Sequence, residues 1–378
     1  YRCDIAMSDE IPEPDRIEGV PHPRHTASLH GHAAQELEFL AAHNSGKLHH
    51  AWMLTGPRGV GKATLAWRIA RWLVAQPPTD GGMFGDEPPA ETLYLDAAHP
   101  VFRRVSALSE PRVTILRRPW DDKTKRLRTA ITVDEVRKLK SFFTMSSADG
   151  GWRVAIIDAM DELNIPAQNA LLKLLEEPPA RVLFLLVTHQ PGRLLPTIRS
   201  RCRTLRLGML DQADLDSAMT DAGAPPGKEA AALATLSAGS VGEAVRVLAD
   251  EGVTLYANLL TLMQGVPKMD RVGMTRIADR CAGRGAETQY DLTVRLTFLL
   301  LARLARAGAI GQVTPTPFEG EAELLARLAP SPASGQAWAE LSETLRGRIG
   351  HARAVNLDPA QVMLDSFLRI DATARKVA

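Results

Sequence analysis

The stretch that most constrains this chain is Gly56-Pro57-Arg58-Gly59-Val60-Gly61-Lys62, because of what flanks it. Before it, His50-Ala51-Trp52-Met53-Leu54 reads as a buried strand. After it, Leu65, Ile69, Leu73 and Val74 recur at helical spacing. A strand that turns through glycines into a helix gathers backbone N–H groups and the positive end of the helix dipole around one concavity, and a lysine adds a point charge. Gly56, Gly59, Gly61 and Lys62 are therefore candidate phosphate contacts. The next position, where such loops carry a Ser or Thr hydroxyl for Mg²⁺, is Ala63. Thr64 is rotated by about 100° around the helix and is a poor replacement.

Strand and helix signals keep alternating beyond the loop. Thr132-Val133-Asp134-Glu135 has the form of a capping box, with Val136, Leu139 and Phe143 on an apolar face behind it. Val154 to Ile157 is a fully apolar strand that ends in Asp158, a carboxylate placed to face a phosphate-bound metal. A helix begins at Pro166, runs through Leu171, Leu172, Leu174 and Leu175, and stops before Pro178-Pro179. Val182 to Val187 is another unbroken apolar strand. Apolar strands without alternation, separated by helices, predict an α/β domain with a parallel sheet covered on both faces. Beyond about residue 208 the strand signals fade. Residues 209–252 read as short helices, and 253–378 as a Leu/Ala/Arg-rich helical region.

Composition narrows the function. The chain has 378 residues, enough for two or three domains at about 150 each. Lys plus Arg is 45 and Asp plus Glu is 44, a net charge of +1, so any nucleic-acid contact must be local. The most apolar stretch, 292–307, is interrupted by Arg295, Arg303 and Arg306, so no membrane span is expected. Residues 1–7 lack the apolar core of a secretory signal, and Met7 is available as an initiator. Three cysteines, Cys3, Cys202 and Cys281, are too few for a disulfide framework and fit a cytoplasmic protein. Residues 1–28, with four prolines and a high polar content, read as a flexible, solvated lead-in. His22, His25, His30 and His32 crowd together without Cys or carboxylate at ligand spacing, so no metal site is expected. Residues 112–128 hold seven basic side chains around Trp120. They read as a solvated hairpin or loop in preference to a contact for the DNA backbone or a partner subunit.

Several motifs beyond the loop carry a resemblance. Leu48-His-His-Ala51, Ala98-His-Pro100, Asn169-Ala-Leu-Leu-Lys-Leu-Leu-Glu-Glu-Pro-Pro179 and Ser200-Arg201-Cys202 resemble the clamp-loader branch of the AAA+ family, the subunits that load the sliding clamp of bacterial DNA polymerase III. The similarity covers about residues 29–208. It implies a RecA-like AAA+ parallel-sheet domain over 29–208, a small helical lid domain over 209–252, and an all-α collar domain over 253–378 that holds a ring together. In that family the arginine of Ser-Arg-Cys reaches ATP bound by a neighbouring subunit, so Arg201 is implied as a finger acting in trans. The implied partners are the tau/gamma ATPase subunits and delta, with the clamp and primed DNA reached through the complex.

The departures from the family pattern fall at catalytic positions. A hydrolysing subunit has Ser or Thr at 63, Glu at 159 and Arg at 242; this chain has Ala63, Ala159 and Gly242. The implication is a non-hydrolysing, stator-like subunit needing no cofactor, with weak ATP or ADP binding at Gly56, Gly59, Gly61, Lys62 and Asp158 left open. The alternative is an active tau/gamma-type ATPase that uses Asp161 or Glu162, and Thr64, in a shifted geometry. The zinc-binding cysteines common among such subunits are missing from 76–97, so no zinc is expected.

Overall fold

The computed structural model describes residues 12–17, 19–77, 89–144, 150–283, 285–311 and 315–377. The chain forms two compact units. One runs to Pro225 and includes Ser240–Gly242; the other comprises Pro226–Gly239 and Glu243 onward.

The first unit opens with α1 (Ala33–Asn44) and β1 (Ala51–Thr55), followed by α2 (Lys62–Ala75) and α3 (Pro100–Ser106). Next come β2 (Val113–Leu116), a short hairpin of β3 (Trp120–Asp121) and β4 (Arg126–Leu127), α4 (Val133–Thr144) and β5 (Arg153–Asp158). The unit continues with α5 (Ile165–Glu176), β6 (Val182–Thr188), α6 (Pro196–Arg199), β7 (Arg203–Arg206) and α7 (Gln212–Asp221). Five strands form one parallel sheet in the order β2-β5-β6-β1-β7. Every residue of β1 and β6 is buried, because the pleat sends alternate side chains into two different cores. Trp52, Leu54, Leu183 and Leu185 join Phe39 of α1 and Leu65 and Ile69 of α2 on one face. Ala51, Met53, Phe184 and Leu186 join Val136 of α4 and Leu171 of α5 on the other. This is the α/β sheet the unbroken apolar strands predict.

Two strands lie outside that expectation. β2 is only partly covered along most of its length, and β7 buries Leu205 alone while its arginines stay exposed. Both are short, and the charged β7 is of the kind that discourages pairing with other chains.

The lead-in is corrected by the structure over its described residues. Residues 12–28 pack onto the first unit as a strap, and His22 is only 2% exposed. His22 Nε2 lies 2.8 Å from Asp15 Oδ2, and Arg24 donates to Glu13 Oε1 at 2.6 Å and to the carbonyl of Ser106 at 3.0 Å. From α2, Arg71 donates to the carbonyls of Arg24 and Thr26, each at 2.7 Å, and Arg68 donates to that of Ala27. Prolines and charges read as solvated when taken alone. Here the charges are matched by residues far away in sequence. Among the described residues the histidines do not converge on one point: His30 meets Asp221, and His32 meets the carbonyl of Val60.

The second unit is all-α, as expected for its sequence. It holds α8 (Ala230–Ser237), most of α9 (Val241–Ala249), α10 (Gly252–Gln264), α11 (Arg271–Asp279), α12 (Glu287–Ile310), α13 (Glu321–Leu328), α14 (Pro332–Ala354) and α15 (Pro359–Val377). At its centre a fully buried carboxylate joins three elements. Glu321 Oε1 accepts from Tyr256 Oη at 2.8 Å and from Arg303 Nε at 2.7 Å, and Arg303 also donates to the carbonyl of Pro315 at 2.6 Å. Removing one member strands the other charge without water. Glu321→Ala is expected to cost about 3–5 kcal/mol in urea denaturation monitored by circular dichroism. The double change Arg303→Met/Glu321→Leu should recover most of that loss.

Candidate functional site

The glycine-rich loop leaves the carboxyl end of β1, the usual place for a ligand in an open parallel sheet. Its glycines have steric reasons to be glycines. Gly56 has φ of 142°, and a Cβ there would lie 2.2 Å from the carbonyl oxygen of Leu207. Gly59 has φ of 73°, and its Cβ would lie 2.4 Å from Ser240 Oγ. Gly61 is the N-cap of α2, with φ of 103°. All three are conformations that a side chain would strain.

Lys62 is 3% exposed and donates to the loop's own carbonyls, to Gly56 at 2.8 Å and also to Pro57. Burial pushes its ammonium down to about 8, against the pull of Asp158 and Asp161. Asp158, at the end of β5, is pushed up to about 7. Burial is the main cause, the Asp15 carboxylate adds to it, and Lys62 opposes it. The two side chains therefore sense each other's charge, as the lysine and acid of a nucleotide site do. Burial, then Lys62 and Arg58, hold the imidazole of His189 down to about 4, so it stays neutral beside this cluster.

The residues that surround this pair differ from those of a hydrolysing site. The methyl side chains of Ala63 and Ala159 offer no oxygen to a metal or to water. Asp161 is engaged by the end of β6: it accepts from Thr188 Oγ1 at 2.6 Å, the N–H of His189 at 2.6 Å and the N–H of Gln190 at 3.0 Å. Glu162 accepts from Arg118 Nε at 2.9 Å. Both stand-ins for a water-orienting carboxylate thus have other partners. Gly242, where the family pattern has an arginine, donates its N–H to the carbonyl of Gly59 at 3.2 Å, and Ser240 Oγ donates to that of Arg58 at 2.9 Å. Two features at this site are not readable from the motifs: the tie between Thr188 and Asp161, and the approach of Ile17 to Gly242. Thr188 gives a weak signal as a polar end to an apolar strand. Ile17 gives none.

Arg201 follows α6 and is part-exposed. Its guanidinium donates to the carbonyl of Thr197 at 3.0 Å and pairs with Glu176 Oε1 at 2.9 Å. Neither partner belongs to the phosphate loop, so the structure separates Arg201 from Lys62 and Asp158 in its contacts. In the basic segment, Arg112 pairs with Glu110, Arg117 with Glu13 and Asp15, Arg118 with Glu162, and Arg128 with Asp121. Much of the segment's charge is thereby answered within the chain.

A parallel sheet between helix layers, a glycine-rich loop from an interior strand into a helix, and an acid at the end of the strand two places along define an AAA+-type α/β domain, here followed by an all-α part. Residues 31–211 match the family described as DNA polymerase III, delta subunit. Subunit delta' of Pseudomonas aeruginosa DNA polymerase III is 38% identical over 153 residues, 40% of this chain and 41% of that protein. Subunit gamma of Buchnera aphidicola from Schizaphis graminum is 31% identical over 175 residues, 45% of this chain and 41% of that protein. Subunit delta' of Yersinia pestis is 32% identical over 165 residues, 44% of this chain and 43% of that protein. The chain thus spans less than half the length of the curated relatives it matches. A gamma-subunit-related protein of Thermotoga maritima covers 90% of this chain and 99% of its own at 17% identity, with a TM-score of 0.39, a likeness too loose to bear on function. Over residues 31–211 the chain is similar to subunits of DNA polymerase III, delta' and gamma among them.

The crowding at Gly59 gives a direct check on the loop. Gly59→Ala places a Cβ 2.9 Å from the backbone nitrogen of Gly242 at a positive φ. It is expected to lower stability by more than about 1 kcal/mol, read as a drop in thermal midpoint, whereas Gly192→Ala, which meets nothing within 4 Å, should be near neutral.

Proposed function

We propose that this chain is a non-hydrolysing, delta-prime-type subunit of a DNA polymerase III clamp loader. In this reading it braces the ring and presents Arg201 to ATP bound by an adjacent tau/gamma subunit. The observation that carries the reading is the combination at the loop. The glycine scaffold and Lys62 persist, yet Ala63, Ala159 and Gly242 stand at the three positions that would handle metal, water and γ-phosphate. A site so altered keeps its fold and loses the groups that develop or stabilise charge in phosphoryl transfer. Arg201 suits the remaining role, because its planar fork can make a bidentate contact with phosphate oxygens from an exposed edge.

The partners in this reading are the tau/gamma subunits and delta, with the sliding clamp and primed DNA reached through the assembled complex. Residues 209–252 act as the lid and 253–378 as the collar. No zinc is required; residues 78–88 of the cysteine-free stretch lie outside the described structure. Among the described residues no helix is long and apolar enough to cross a membrane, in keeping with a cytoplasmic setting.

The test is an ATPase assay with and without partners. The isolated chain is expected to turn over no ATP. In the assembled loader with primed DNA, Arg201→Ala should depress turnover at the adjacent site by on the order of 10³-fold or more, and Arg201→Lys should not restore it. Full activity of the Arg201→Ala complex would remove the finger assignment. Robust turnover by the isolated chain, abolished by Lys62→Ala, would establish the tau/gamma-type alternative.

A further inference from the structure

The strap does more than cover a helix. Its first described residues run beside the phosphate loop. Arg117, which directly follows the β2 strand, binds Glu13 Oε1 at 2.6 Å and Asp15 Oδ1 at 2.7 Å, and His22 closes on the other oxygen of Asp15 at 2.8 Å. Burial works against the Asp15 carboxylate, but His22 and Arg117 together hold it below the usual range. It therefore stays charged, and it lies near enough to Asp158 to add to that group's upward shift. Two residues further along, Ile17 Cδ1 lies 2.6 Å from where a Cβ on residue 242 would stand, and Gly59 Cα is 3.1 Å from the same point. Ile17, Gly242 and Gly59 are thus in series, and Ser240 and Gly242 bond the carbonyls of Arg58 and Gly59.

A triphosphate at this loop needs room over Gly59, a free lysine and a tolerant charge environment. In this chain each of these is contested. Ser240 and Gly242 fill the space over Gly59. The ammonium of Lys62 donates to Gly56 and Pro57, bonds that a phosphate would have to replace. The Asp158 carboxylate would repel phosphate oxygens, with no hydroxyl at 63 to help hold a neutralising metal. The volume that a side chain at 242 would use is taken by Ile17.

We propose that residues 13–17, with Ser240–Gly242, form an intramolecular plug on the phosphate loop, so that a nucleotide enters only when the strap is displaced. This rests on reading Gly56–Lys62 as a former nucleotide site, and it is independent of what Arg201 does. The plug explains how a loop with an intact glycine pattern can be kept in shape without a nucleotide. The chain supplies its own counter-groups.

The test is equilibrium binding of a fluorescent N-methylanthraniloyl ADP, with and without Mg²⁺, to the full chain and to two full-length variants. Ile17→Gly empties the plug, and Arg117→Ala releases its anchor; thermal melts confirm that each is folded. A strap open in about 1–10% of molecules lowers apparent affinity by about 10- to 100-fold. Both variants should therefore bind at least about tenfold more tightly than the parent, and Lys62→Ala in the Ile17→Gly background should abolish the gain. Equal affinity of parent and variants, or no binding by any of them at millimolar nucleotide, overturns the plug. Weaker binding by Ile17→Gly also overturns it and makes the strap a wall of the pocket. A measurement on the unaltered chain guards against variants that fail to fold. At nucleotide concentrations that force occupancy, hydrogen exchange across residues 12–24 should speed up, and unchanged exchange with nucleotide bound refutes the proposal.

Discussion

Strand β1 is hydrogen-bonded on both edges and buried on both faces, and the rest of the first unit is arranged around that fact. Its partners are β6 on one side and β7 on the other. A strand so placed is apolar along its length until Thr55 at its carboxyl end, where it leaves the sheet. Glycine is needed there because the carbonyl of Leu207, just past β7, crowds the first loop residue. The loop's shape is therefore set by sheet packing as much as by any ligand. The strands do not depend on what stands at 63 and 159, and both positions are alanine here.

Charge plays a different part from the one the composition suggests. A net charge of +1 could describe a surface of scattered, solvated ions. Instead, many of the basic residues of the first unit are internal ties. Arg68 and Arg71 on α2 hold the strap's backbone, and Arg117 holds its carboxylates. Burial brings Arg71 down to about 9, the cost of placing a guanidinium inside, and three carbonyl or aromatic contacts offset it. Glu321 does similar work among helices of the second unit. In both places one buried charged group specifies how separate segments meet, which an apolar contact would leave less defined.

Read residue by residue, the sequence was strong wherever one side chain's neighbours are close along the chain. The central strands, the loop, and the helices from 62, 133 and 165 announce themselves by apolar periodicity and by local signals such as Pro166, with Asn164 capping the helix through the N–H of Ala167 at 2.9 Å. β2 and β7 were not legible: β7 has one inward side chain, and four residues of β2, half-buried along most of their length, are too few for a period to show. The strap was misread for a related reason. Its prolines and ions look like solvent-loving chain until Arg71 and Arg117, more than forty positions away, are brought to meet them.

The sequence alone determined that this chain carries a parallel α/β domain with a phosphate-type loop, followed by helices, and that Ala63, Ala159 and Gly242 differ from the residues implied by the resemblance. The first is a statement about residue type and spacing, for which local physics is enough; the second is what the resemblance implies. Only the tertiary structure decided what the altered positions now face: Gly242 against Gly59, Asp161 tied to Thr188, Lys62 turned to its own loop, and Asp15 near Asp158. Each of these joins segments distant in sequence, and burial and charge pairing between such segments exist only once the chain has closed on itself.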